Sequence, residues 1–155
     1  MTKVTVSLVD VYVVRIGAAG LQFLVLRRGP DGRCHGAWET VHGHIEPPET
    51  PVKAALRELA EETGLVPERL YNLSRVESFY VHRADEVALV PVFVALVAPT
   101  AEPVLGDEHD AAEWVSPEFA RERFAWPREQ RAVVDVLAVL GTGHAGPLED
   151  VLRVC

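Results

Sequence analysis

Cysteine is scarce in this chain of 155 residues: there are two, Cys34 and Cys155. That is too few for a disulfide framework, and nothing in the sequence requires them to pair. Long apolar runs are missing as well. No stretch of about 20 apolar residues occurs, as a spanning helix would need. The N-terminus has no basic region leading into an unbroken apolar segment, because Asp10 interrupts it. A soluble cytoplasmic protein is therefore expected. Positive charge is also short, with 15 Lys and Arg against 23 Asp and Glu, a net charge of −8. Such a chain is poorly suited to nucleic-acid backbones or anionic membranes, and neither is expected as a partner. If its substrate is a polyphosphate, cations must bridge the two anions. Internal repeats, low-complexity tracts and linkers are absent too.

What remains is a well-packed globular composition, 48% apolar with a mean hydropathy of +0.10. The length suits one domain over residues 1–155 with a core of its own.

Along the chain, Val4 to Val14 and Leu21 to Leu26 are dense in β-branched residues around a Gly-Ala-Ala-Gly turn, which predicts a hairpin. Arg27 and Arg28 end the second strand; adjacent arginines are usually surface charge, but beside an acidic site they can hold phosphate oxygens. Ala37 to His42 reads as a short strand, and Trp38 in it either joins the core or stacks on a flat base. His35, His42 and His44 lie near Cys34 but match no zinc spacing. Leu70 to Tyr80 and Val87 to Val97 predict two long strands, the second buried on both faces with an irregularity at Pro91. A loop over 99–110 carries Glu102, Asp107, Glu108 and Asp110. A short strand over 112–115 follows, and Ser116-Pro117 and Pro127 each start a helix. Val133, Val134, Leu137 and Leu140 form the expected buried stripe of the latter. The tail, 141–155, has Leu148, Val151 and Leu152 at helical spacing and packs on the domain or on a second subunit, as in a homodimer. The order of elements suits an α/β (α+β) fold, a mixed sheet between helices.

The most informative stretch is Gly43 to Leu65, GHIEPPETPVKAALRELAEETGL. Thr50 suits an N-cap, Pro51 the first helical position and Gly64 a left-handed C-cap. Val52, Ala55, Leu56 and Leu59 form one apolar stripe. Glu58, Glu61 and Glu62 share another face, within an arc of roughly 100° at 3.6 residues per turn. A run of charge on a helix usually means a solvated face. The alternative is a divalent-metal site, since hard cations favour clustered carboxylate oxygens. Gly43 at a turn, with Glu49 and Arg57 bracketing the helix, turns the reading towards metal.

The whole segment resembles the Nudix box, G-x5-E-x7-R-E-U-x-E-E-x-G-U with U apolar. The matching residues are Gly43, Glu49, Arg57, Glu58, Leu59, Glu61, Glu62, Gly64 and Leu65, without departure. Chance would give such a match at about 10⁻⁷ in a chain this short. The resemblance implies an α/β/α Nudix fold with a loop-helix-loop motif, and hydrolysis of a nucleoside diphosphate linked to some moiety X by water attack at phosphorus with Mg²⁺ or Mn²⁺. It implies Glu58 and Glu62 as metal ligands, Glu61 as a further ligand or water-orienting residue, and Arg57 paired with Glu49. Glu108 is the preferred additional ligand or base. Shorter stretches are similar to the dihydroneopterin triphosphate pyrophosphatase branch: Trp38-x-x-Val41-x-Gly43, Glu108-His109 followed by Trp114, and Trp126 ahead of Arg131-Ala132-Val133. That branch implies Lys3, Arg27 and His42 as substrate contacts. His42 stands where the branch often has Thr and other members have Gly, and Pro48 replaces a common Gly. Two further readings stay open, a nucleotide-binding module that does not cleave and a prenyl diphosphate isomerase. The first should have lost box carboxylates, and the second needs a reactive thiol such as Cys34.

Overall fold

A computed structural model describes residues 1–155. Eight strands form one mixed sheet: β1 (Lys3–Val6), β2 (Leu8–Gly17), β3 (Gly20–Arg28), β4 (Trp38–Glu39), β5 (Val41–His44), β6 (Arg69–Val81), β7 (Glu86–Leu96) and β8 (His109–Val115). The helices are α1 (Pro51–Thr63), α2 (Pro117–Arg123), α3 (Pro127–Leu140) and α4 (Glu149–Leu152). At the centre β2 runs parallel to β7 and antiparallel to β3, while β6 and β8 pair antiparallel with β7 and β3. The first β-branched run is broken at Ser7, so that β1 pairs in parallel with β7 and only β2 forms the hairpin with β3.

Because side chains alternate along a strand, this sheet buries two separate cores. Tyr12, Val14, Phe23, Val25, Val92 and Val94 pack under α2, α3 and the tail. Val9, Val11, Val13, Leu24, Leu26, Phe93 and Ala95 pack under α1. Central strands apolar on both faces explain the nearly unbroken hydrophobic runs of β2 and β7. The irregularity expected at Pro91 lies opposite Val76, where the β6 register shifts. Proline has no N–H to give the ladder, and the strand accommodates it there.

One expectation is corrected. The buried stripe of α3 is Ala132, Val133, Val136 and Leu140, with Val134 and Leu137 exposed; the i, i+1, i+4, i+8 spacing from Ala132 is the one that keeps to a single helix face. In the tail Leu152 joins the core while Leu148 and Val151 are exposed. The tail docks on its own chain, with Leu70 N–H donating to the Cys155 carbonyl (3.0 Å) and Val154 N–H to that of Leu70 (2.8 Å).

Candidate functional site

Helix α1 is capped as its sequence dictates. Thr50 Oγ1 accepts from Lys53 N–H at 3.3 Å, and Gly64 ends the helix in the left-handed region, φ 67°. Its inner stripe, Ala54, Ala55 and Leu59, is fully buried. That fixes the rotation of the helix and turns Glu58 and Glu62, 9% and 4% exposed, towards β5. In β5, Gly43 pairs with Val9 and faces α1, whereas His42 and His44, paired with Asp10 and Leu8, face the other side. Arg57 grips Glu49 with two bonds, Nη2 to Oε1 (2.6 Å) and Nε to Oε2 (3.1 Å), and donates to the His44 carbonyl at 2.8 Å. The expected pairing of loop and helix is present. Arg57 Nη1 also donates to Glu58 (2.9 Å) and Glu61 (3.2 Å), so the acidic face has one cation at its edge.

A second loop completes the site. The carbonyls at the C-terminus of α1 have no helical partners. Val104 N–H takes that of Thr63 at 2.8 Å and Gly106 N–H that of Glu62 at 3.3 Å. A side chain on Gly106 would put its Cβ 2.8 Å from the Glu61 carbonyl oxygen, so the approach requires glycine. This docking delivers Asp107 and Glu108 to the helix. The result is a cavity of about 340 Å³ lined by Glu58, Glu61, Glu62, Gly106, Asp107, Glu108 and His109, without one apolar side chain.

Its electrostatics are unbalanced. Burial, then the nearby Glu108 and Glu58 charges, push the Glu62 carboxyl up to about 10. Burial raises Glu58 too, outweighing Arg57. Glu108 has Arg28 Nη1 at only 3.7 Å. Beside Glu62 lies His109, a buried imidazole whose Nε2 is 3.0 Å from Glu39 Oε1. Glu39 also accepts from Arg28 Nη1 at 3.3 Å. Burial opposes its charged form, but the bond with His109 and the Arg28 charge hold its carboxyl below the usual range. Two buried atoms in the cavity wall have no hydrogen-bond partner, Glu62 Oε1 and His109 Nδ1. Crowded carboxylates and unpartnered buried acceptors are what a divalent cation relieves, so the donor set fits one.

On the far side of β4 and β5 lies a second cavity, about 390 Å³, with a different lining. Leu8, Phe79, Val81, Val90 and Trp126 supply apolar surface, and Arg28, Arg33, Arg128, His42 and His44 supply basic groups; Cys34 and Glu39 complete it. Trp126 and Phe79 meet edge to face, centroids 6.4 Å apart. Beneath them Asp10, fully buried, accepts two bonds from Arg128 (2.8 and 3.2 Å) and faces His42 Nδ1 at 2.6 Å. Burial opposes its charge, but these partners outweigh it and lower the Asp10 pKa. The two cavities share a wall: Glu39 lines the second while holding His109, and His42 N–H reaches Glu62 Oε2 at 3.3 Å.

The box residues thus converge with Glu108, and His42 lines the second cavity. Three substrate candidates from the sequence stand elsewhere. Lys3 is exposed on β1, its N–H bonded to the Asp85 carbonyl. Arg27 is paired with Asp110 at 2.7 Å. Trp38 packs against the α2–α3 core, and guanidinium groups of Arg123 and Arg27 lie 5.0 and 5.8 Å from its ring. None of the three lines either cavity. In their place the fold brings Arg28, Arg128, Trp126 and Phe79 together, and adds His109 to the glutamates.

A family model for the NUDIX domain matches residues 6–137. A Myxococcus xanthus protein named octanoyltransferase is 40% identical over 118 residues, 74% of this chain but only 32% of its own length. An asymmetrical bis(5'-nucleosyl)-tetraphosphatase of Mus musculus is 32% identical over 102 residues, 64% of this chain and 67% of that one. Among solved structures, a C. elegans Ap4A hydrolase matches with a TM-score of 0.73 at 22% identity, covering 87% of this chain and 97% of that one. An E. coli dihydroneopterin triphosphate pyrophosphohydrolase matches at 0.62 and 23%, covering 81% and 91%. At these identities the two structures speak for the fold.

Proposed function

The chain belongs to the Nudix family, and on that premise we propose that it is a divalent-metal-dependent pyrophosphohydrolase of nucleotide-like substrates. A phosphoanhydride bond is broken by water attack at phosphorus. The observation that carries this reading is the polar cavity of Glu58, Glu62 and Glu108, set beside a second cavity with aromatic and basic walls.

Phosphoryl transfer demands positioning and charge neutralisation more than covalent chemistry. Glu58, Glu62 and Glu108, with Glu61 at the mouth, would hold Mg²⁺ or Mn²⁺. When bound, such ions neutralise phosphate oxygens and acidify a coordinated water. Arg57 fixes Glu58 and Glu61 in place. Glu108 or Glu61, both exposed in the cavity, would receive the proton of the attacking water. As the new P–O bond forms, the bridging P–O bond breaks and the leaving phosphate takes its electron pair.

The second cavity suits the remainder of the substrate. Trp126 and Phe79 offer a flat ring an apolar surface, and Arg28 stands between the cavities, where a phosphate chain would pass. A nucleoside triphosphate, a dinucleoside polyphosphate or dihydroneopterin triphosphate meets these demands, and the relative named as a tetraphosphatase favours testing the second first. The test is a substrate panel in ¹⁸O water with Mg²⁺ or Mn²⁺, read by ³¹P NMR. One substrate should turn over with ¹⁸O in a phosphate product, and excess chelator should stop it. Tight binding of a nucleotide with no turnover under either metal would make the chain a sensor instead.

A further inference from the structure

The chemistry above uses carboxylates and leaves His109 idle, although its imidazole is fully buried beside them. Its ring nitrogens are in unlike surroundings. Nε2 lies 3.0 Å from Glu39 Oε1, and Glu39 is itself paired with Arg28. A carboxylate only accepts, so Nε2 carries a hydrogen, and in the neutral ring Nδ1 is the nitrogen with the free lone pair. Nδ1 faces Glu62 Oε1 at 3.8 Å, beyond hydrogen-bond reach, and neither buried atom has a hydrogen-bond partner. Ligand atoms of Glu62, Glu108 and His109 all lie within 4.8 Å of one another.

We propose that His109 Nδ1 is a nitrogen ligand to the divalent cation, sharing it with Glu62 and Glu108. Two ligands held about 2.0–2.2 Å from one ion stand up to about 4 Å apart, and the 3.8 Å gap fits that span. The Glu39 contact is the partner a metal-binding histidine usually has, a carboxylate that fixes the tautomer and turns the free nitrogen to the metal. Imidazole suits borderline cations better than Mg²⁺, which prefers oxygen. The site is therefore built to favour Mn²⁺, Co²⁺ or Zn²⁺ over Mg²⁺ at this position.

This inference rests on the metal-dependent reading, and Mn²⁺ alone, without nucleotide, tests the two separately. Pulsed EPR of Mn²⁺ bound to the purified protein should show ¹⁴N modulation that becomes a ¹⁵N signal when the histidines are ¹⁵N-labelled. His109→Gln should abolish it and weaken Mn²⁺ binding by roughly tenfold or more, with a change of less than about threefold for Mg²⁺. Bound Mn²⁺ without nitrogen coupling, or coupling that survives His109→Gln, overturns the assignment and leaves the metal reading standing. If His109→Gln does not fold, His42→Gln and His44→Gln decide: coupling retained in both supports His109, and coupling lost in either overturns it. Failure to bind Mn²⁺ at all overturns both readings.

Discussion

Gly43 lies so close to Glu58 that a Cβ at position 43 would fall inside the Glu58 carboxyl group. The glycine is required by this approach and not by a turn, since β5 is extended there. Gly43→Ala should therefore push the carboxylate out of the cavity. We expect a destabilisation of about 1–3 kcal/mol, as for other overpacked sites, together with loss of most activity. In a Glu58→Ala background the same change should cost well under half as much, measured by urea denaturation. Equal costs in both backgrounds would mean that the two residues do not compete for that space.

Arg57 joins the loop and the helix through Glu49, and it also steadies Glu58 and Glu61. Arg57→Ala should lower both melting temperature and turnover. Combined with Glu49→Ala it should cost clearly less than the sum of the single changes, because either one breaks the shared bidentate pair. Full additivity would show that the pair is not coupled.

Glu62 gives the metal-free protein a dependence on pH. Its carboxyl is pushed up to about 10 by burial first and by Glu108 and Glu58 next. In the unfolded chain it titrates near 4.3, so between these values the folded state holds a proton that the unfolded state has lost. Stability must then fall as pH rises through that interval. Without metal, Glu62→Gln should raise the melting temperature at pH 8 by several degrees, about 2–4 °C per kcal/mol at this chain length. Near pH 4, where most unfolded chains also carry this proton, the gain should shrink to almost nothing. Turnover with Mg²⁺ should fall by roughly 10² or more in the same variant. Thermal melts across pH beside a rate assay check both halves; a gain that persists at pH 4 would remove Glu62 as the cause.

The motif helix was legible because its signals are local: Thr50, Pro51 and Gly64 bound it, and Ala55 and Leu59 set the face it buries. The strands were legible for the same reason, except where β1 breaks from β2, since the β-branched run continues across Ser7 without a turn residue. What was hidden depends on long-range register. Arg27 and Arg28 are indistinguishable in sequence, but alternation along β3 turns them to opposite faces, and only Arg28 reaches the second cavity. Gly106 gains its meaning only when its loop lies on the end of α1. His109 stood next to Glu108 in view, yet its role follows from Glu39, 70 residues earlier.

Two tryptophans now compete for the substrate ring, and the structure separates them. Trp38 lies against the α2–α3 core under two arginines. Trp126 lines the second cavity with Phe79. Stacking on an aromatic is worth roughly 1–3 kcal/mol per base in nucleic-acid binders. Trp126→Ala should therefore lower kcat/KM for a ring-bearing substrate about tenfold or more relative to inorganic tripolyphosphate, which has no ring to place. Trp38→Ala should instead lower the melting temperature and reduce both substrates by the same factor, because it disturbs the strand leading to Gly43 without touching the ring. The ratio of the two kcat/KM changes, measured beside a thermal melt for each variant, decides. If the ratio moves with Trp38 and stays fixed with Trp126, the ring binds beside Trp38, at the edge where β4 meets α2. The second cavity would then have no part in specificity.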